Sequence, residues 1–137
     1  MTELSIGDVA LRTGLSVHTL RFYEREGILT TPVRRNSGGR RLYGQEHVDW
    51  LTVCTFLRAS GMPLPEIRRY TELVREGMGN ESERLELMRR HQKLVGERIA
   101  RLGECMDLIS HKVRVYEDIV AAGDPGHECV GPGPVQR

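Results

Sequence analysis

Apolar positions change their spacing twice along the chain, and each change marks a different kind of element. Ile6, Val9 and Ala10, with Leu11, form a short helical face behind Ser5-Ile6-Gly7-Asp8. In that pattern Ser5 caps the first turn and Asp8 reaches back to it from the third helical position. Thr13-Gly14 ends this helix, because Gly14 is free to adopt the left-handed conformation of a tight turn. Ser16 caps a second helix in which Val17, Leu20 and Ile28 look inward, leaving His18, Thr19, Arg21 and Arg25 on the exposed side. Two short helices about a glycine turn are the helix-turn-helix pattern.

Residues 30–43 lose that periodicity and turn around Ser37-Gly38-Gly39, which reads as a β-hairpin packed on helices. Helical spacing resumes with Val48, Leu51, Cys54 or Thr55, and Leu57, and stops at Ser60-Gly61. Pro63 and Pro65 fit the approach and first turn of another helix, whose inner face runs through Ile67, Tyr70, Leu73 and Val74.

Beyond Gly77 and Gly79 the spacing becomes a heptad. Leu85, Met88, Gln92, Val95, Ile99, Leu102, Met106, Ile109, Val113, Tyr116 and Val120 alternate three and four residues apart, and Gln92 alone among them is polar. This is a coiled-coil seam. A helix over 81–120 would be about 60 Å long. Alone it would lose about 1–2 kcal/mol of backbone entropy per residue while its seam stayed wet, so the pattern demands a partner helix. Gly96 and Gly103 are the soft points, each weakening the helix by roughly 1 kcal/mol relative to Ala. The expected organisation is a winged helix-turn-helix domain at 1–75, a dimerisation helix at 80–121 and a flexible Gly- and Pro-rich tail at 122–137.

Charge sharpens the division. The net charge of +1 over 137 residues says little, but residues 1–75 hold 11 Arg and 8 acids, whereas residues 76–137 are net acidic. Four Arg and no acid fall between 34 and 41. The N-terminal part is therefore the polyanion surface. Cys54, Cys105 and Cys129 are odd in number and far apart, which excludes a disulfide framework. Without a signal peptide or a run of about 18 apolar residues, a cytoplasmic protein with no membrane contact is expected. No nucleophile–base or metal-ligand constellation points to an enzyme, and no cofactor is expected. His47, His91 and His111 fall singly on helical surfaces.

The ordered series Ile6-Gly7-Asp8-Val9-Ala10, Thr13 through Leu29, Gly39-Arg40-Arg41-Leu42-Tyr43 and Ser60-Gly61-Met62-Pro63-Leu64-Pro65-Glu66-Ile67 resembles the MerR family of bacterial transcription regulators. The resemblance is dense over residues 4–75, and the long helix fits it as well. It implies a mainly α chain: a winged helix-turn-helix followed by a long antiparallel dimerisation coiled coil. It further implies a homodimer on a near-palindromic promoter operator in double-stranded DNA. Such regulators activate by distorting an overlong promoter spacer, touching RNA polymerase only indirectly; the deformation costs several kcal/mol, which phosphate contacts offset.

On this reading Ser16, His18, Thr19, Arg21, Phe22 and Tyr23 belong to the recognition helix, with Arg21 placed to read guanine. Phe22 replaces the first of the family's usual Tyr-Tyr pair, removing a hydroxyl contact. Arg40, Arg41 and Tyr43 belong to the wing and would contact phosphate and sugar. Leu85, Met88, Val95, Ile99, Leu102, Met106, Ile109, Val113 and Tyr116 would form the dimer interface.

The signal is less legible. Metal-sensing relatives need Cys or His ligands at the start of the dimer helix and in the loop after it, where this chain offers Gly79-Asn80-Glu81-Ser82 and then only His127 and Cys129. Some small relatives sense electrophiles through one Cys in the helix after the wing. Cys54 lies in that helix, although by the Trp50-to-Gly61 spacing their reactive position aligns with Phe56. Cys54 is thus a candidate thiol sensor, with Cys105 a weaker one, against the alternative of inert packing. From other classes, an excisionase-like or architectural DNA-bending protein shares the head fold but lacks so long a dimer helix. An adaptor whose head binds a chaperone would leave the basic face unexplained.

Overall fold

The computed structural model describes residues 3–123. The element order is α1 (Ile6–Thr13), α2 (Val17–Arg25), β1 (Arg34–Arg35), β2 (Arg41–Leu42), α3 (Gln45–Ala59), α4 (Leu64–Glu76) and α5 (Glu81–Ala122). By contacts the chain divides after Val95 into two compact units. The expected tail from 124 on, with His127 and Cys129, lies outside the described residues.

The first unit is built as the pattern predicts. The backbone N–H of Asp8 donates to Ser5 Oγ at 3.0 Å, and the Ser5 N–H donates to the Asp8 carboxylate at 3.0 Å. Those bonds, the backbone one foremost, hold the Asp8 carboxyl below the usual carboxylate range. Gly14 closes α1 at φ 76°, and Ser16 caps α2 by accepting from the Thr19 N–H. The strands pair antiparallel, Arg34 with Leu42 and Arg35 with Arg41. Leu4 continues the ladder by exchanging two 2.8 Å backbone hydrogen bonds with Tyr43.

Leu4, Val9, Leu20, Tyr23, Ile28, Tyr43, Leu51, Cys54, Met62, Ile67 and Leu73 form one core, and Leu87 from the start of α5 joins it. Leu11, expected on the inner face of α1, instead points outward at 86% exposure. An eight-residue helix presents one narrow stripe, and Ile6, Val9 and Ala10 already occupy it.

The segment that follows α2 is clamped by side chains from two later helices. Trp50 Nε1 donates to the Ile28 carbonyl at 2.6 Å and Thr71 Oγ1 approaches the same oxygen at 3.4 Å. Arg68 Nε donates to the Glu26 carbonyl at 2.9 Å and also pairs with the Glu26 carboxylate. Arg75 donates to the carbonyls of Gly27, at 3.0 Å, and Leu29. Trp50 is itself stacked on Tyr70, ring centroids 5.5 Å apart.

Two histidines expected on helical surfaces are buried. His47 Nδ1 accepts the Gly44 N–H at 3.0 Å, which completes the N-terminus of α3. Its Nε2 therefore carries the proton and faces the Thr31 hydroxyl and carbonyl, at 3.0 and 3.1 Å. His91 Nε2 lies 2.7 Å from Ser60 Oγ, joining the first turns of α5 to the end of α3. Apolar periodicity cannot reveal such residues, because each is buried by polar bonds to another element.

The second unit consists of the remaining helix. Ile99, Leu102, Met106, Ile109, Val113, Tyr116 and Val120 are all at least half exposed or close to it within one chain. No described helix is both long and apolar enough to cross a membrane.

Leu20→Ala, at a fully buried site, is expected to lower unfolding free energy by about 2–5 kcal/mol in urea titrations. Leu11→Ala should stay within about 0.5 kcal/mol of the parent, and a large loss there would show that α1 is rotated from this arrangement.

Candidate nucleic-acid interface

A helix reads DNA only through side chains that leave its own fold's bonds free. On α2, His18 and Arg21 are exposed and make no hydrogen bond or ion pair among the described residues. Arg25 is also exposed, its guanidinium 5.8 Å from the centre of the Phe22 ring, which is itself half-buried. Ser16 and Thr19 are more constrained. Ser16 Oγ accepts from the Thr19 N–H and bonds the Thr19 hydroxyl, both at 3.0 Å, so this pair first builds the helix start.

The wing is shaped by Asn36, whose side-chain oxygen accepts from the N–H groups of Gly38 and Arg40 at 2.9 and 3.0 Å. Its four arginines are not equivalent. Arg34 pairs with Glu3 at 2.8 Å, and Arg41 Nε lies 2.5 Å from Glu24 of α2, mostly shielded from solvent. Arg35 donates to the Gly39 carbonyl at 3.0 Å, while Arg40 remains exposed and forms no ion pair among the described residues.

Arg21, Arg40 and Arg41 line one cleft together with Ser5, Ile6 and Gly7. Ser5 caps α1 with its own N–H bound to Asp8, and the N–H groups of Ile6 and Gly7 that follow lack intrahelical acceptors where the helix dipole is positive. Guanidinium groups around a helix N-terminus make an anion site of the kind a DNA phosphate fits. The contribution of Ile6 and Gly7 is missing from the sequence reading. The capping box at Ser5 was the available signal, since it marks where those N–H groups lie.

The description MerR HTH family regulatory protein matches residues 4–73. The chain belongs to this family. An uncharacterized HTH-type transcriptional regulator of Haemophilus influenzae is 35% identical over 83% of this chain and 84% of its own length. YfmP of Bacillus subtilis, an HTH-type transcriptional regulator, is 32% identical over 85% of each chain. Among solved structures, HiNmlR, a MerR family regulator lacking the sensor domain and bound to promoter DNA, superposes with a TM-score of 0.78. It is 32% identical and the match covers 90% of this chain and 97% of that one. These relatives are transcriptional regulators, not enzymes.

Within this MerR fold, two expected contact residues, Tyr43 and Tyr23, turn inward, and a third, Arg41, is tied down at the edge of the cleft. Tyr43 is 2% exposed, packs edge-on against His47 at 5.5 Å, and its buried hydroxyl meets no hydrogen-bond partner among the described residues. Burial, with Glu24 nearby, pushes its phenol above the ordinary value. Tyr23 is likewise a core residue, its phenol raised first by burial and then by Cys54. Arg41 is held by Glu24 and docks the wing onto α2 rather than projecting from it. The alternation of a short strand explains this: Tyr43 bridges to Leu4 and continues the core side, while Arg40 sits at the turn.

Cys54 has no exposed surface, and burial pushes its thiol up to about 12. A sensor cysteine needs an accessible thiolate, so these surroundings oppose that role and favour inert packing. Cys105 is exposed. Phe56, at the position aligned with the reactive one of thiol-sensing relatives, is 70% exposed. Among the described residues no group of three or more His, Cys, Asp or Glu is placed to hold a metal ion.

Tyr43→Phe removes an unsatisfied buried hydroxyl. It should leave DNA affinity within about twofold and stability unchanged or slightly raised, whereas a large affinity loss would return Tyr43 to the contact surface. Maleimide labelling with peptide mapping should modify Cys105 in the native protein and Cys54 only after denaturant is added. Rapid native labelling of Cys54 would contradict its burial.

Proposed function

We propose that this MerR-family regulator binds a near-palindromic operator in double-stranded promoter DNA as a homodimer in the cytoplasm, and activates by distorting the DNA. RNA polymerase is then engaged indirectly, through promoter geometry. The observation that carries the reading is the exposure of Arg40 beside the N-terminus of α1, in a cleft that Arg21 borders from the exposed side of α2. The arrangement separates two tasks. His18 and Arg21 are free to reach base edges, and the cleft anchors a backbone phosphate that sets the helix's depth in the groove.

The promoter-DNA complex of HiNmlR supports this assignment by likeness. Dimerisation is supported by the apolar seam of α5, which is exposed in one chain. A dimer places two heads at a fixed spacing, so each operator half-site is read by one copy. Distortion of the DNA between the half-sites then has a mechanical source, since both heads grip phosphates through rigid clefts.

The test is binding to the inverted repeat nearest the chain's own promoter, measured against salt. Arg40→Ala should weaken all sequences alike and make the log–log salt slope shallower by roughly one to two units for the dimer. Arg21→Ala should instead relax discrimination at one base pair per half-site, by about 1–3 kcal/mol. If Arg40→Ala leaves both affinity and slope unchanged, the cleft is not the phosphate anchor.

A further inference from the structure

Two copies of a heptad helix that pair antiparallel bring each first seam position opposite the second of its partner, because the three–four spacing reverses with direction. For α5 this leaves two registers, one heptad apart, that bury equally many seam residues. In one, Leu85 faces Tyr116 of the other copy, Met88 faces Val113 and Gln92 faces Ile109. In the other, Met88 faces Val120, Gln92 faces Tyr116 and Val95 faces Val113. Apolar area alone does not choose between them.

We infer that the second copy seats in the register that sets Gln92 of one chain against Tyr116 of the other. This deepens the homodimer reading above and rests on it. Gln92 is the one polar seam residue, and Tyr116 the one seam residue with a hydroxyl. Both are exposed and neither makes a side-chain hydrogen bond among the described residues. Pairing closes water out of the seam, so the Gln92 amide needs a partner there. Tyr116 supplies one in this register, whereas Ile109 strands it in the other. A single polar seam residue is a known means of specifying register.

The flanks agree. In the same register Arg89 lies beside Glu117 of the other copy, twice by symmetry, and neither residue forms an ion pair among the described residues of its own chain. One heptad away, Arg89 meets Ser110 instead. On the opposite flank Arg98 approaches Lys112, a repulsion at the solvent-facing edge that salt screens. Met88 already packs against the core of its own head, so seating Val120 of the partner on it extends an existing apolar surface. Val120 is 78% exposed in the single chain, and with Ile109, Val113 and Tyr116 it borders one continuous apolar groove.

Disulfide trapping reads the register directly. With Cys105 and Cys129 replaced by Ser, Gln92→Cys/Tyr116→Cys is compared with Gln92→Cys/Ile109→Cys under diamide, on non-reducing gels. The first pair should shift most of the chain to doubled mass and the second should not, since one heptad displaces the sulfurs by about 10 Å. Bridging by the second pair, or by both equally, overturns the register while leaving the dimer intact. No bridging in a chain that sediments as a dimer overturns antiparallel pairing through this seam. A chain that sediments as a monomer removes the homodimer reading itself. Charge reversal keeps the test open if the cysteine variants misfold. Arg89→Glu should weaken the dimer several-fold, and adding Glu117→Arg should restore it; no restoration overturns the register.

Discussion

The carbonyls of residues 26–29 each accept a hydrogen bond from a side chain of a later helix, and the placement of α2 follows from how this is done. Ile28 is fully buried just after the recognition helix, so the backbone around it cannot rely on water. Trp50 reaches it from α3, and Arg68, Thr71 and Arg75 from α4. The end of α2 is thereby tied to two helices at once. α2 is anchored at one end while His18 and Arg21 stay exposed. Two arginines of the basic half, Arg68 and Arg75, are taken up in the fold's own hydrogen bonds.

The wing obeys the same logic at its root. Glu24 holds Arg41, Leu4 pairs with Tyr43, and His47 closes the start of α3 while gripping Thr31. A two-residue hairpin has little stability of its own, and these attachments supply what the strands lack. What is left outside, Arg40 above all, is the part free to act on another molecule. A basic run in sequence thus resolves into structural and contact arginines, and the division is set by which carboxylates lie nearby.

The long helix carries two surfaces. Its first turns are part of the head, through Leu87 in the core and His91 against Ser60. A different stripe holds the seam.

Periodicity and capping chemistry by themselves determined the helices and the hairpin turn, and the ordered series of motifs carried the family resemblance. Those signals are local: Ser5 with Asp8, Gly14, Ser16 and the three–four spacing act within a few residues of one another. The candidate site was half legible for the same reason. His18, Arg21 and Arg40 stand where helical spacing and the turn put them, exposed and unpaired. Tertiary structure decided that Tyr43 and Tyr23 belong to the core, that Cys54 is packed rather than accessible, that Arg41 is neutralised by Glu24, and that His47 and His91 are buried. Each of these depends on a partner distant along the chain, and spacing within one element carries no information about which distant group will meet it. The N-terminus of α1 lines the candidate cleft in the same way, beside residues from α2 and the wing.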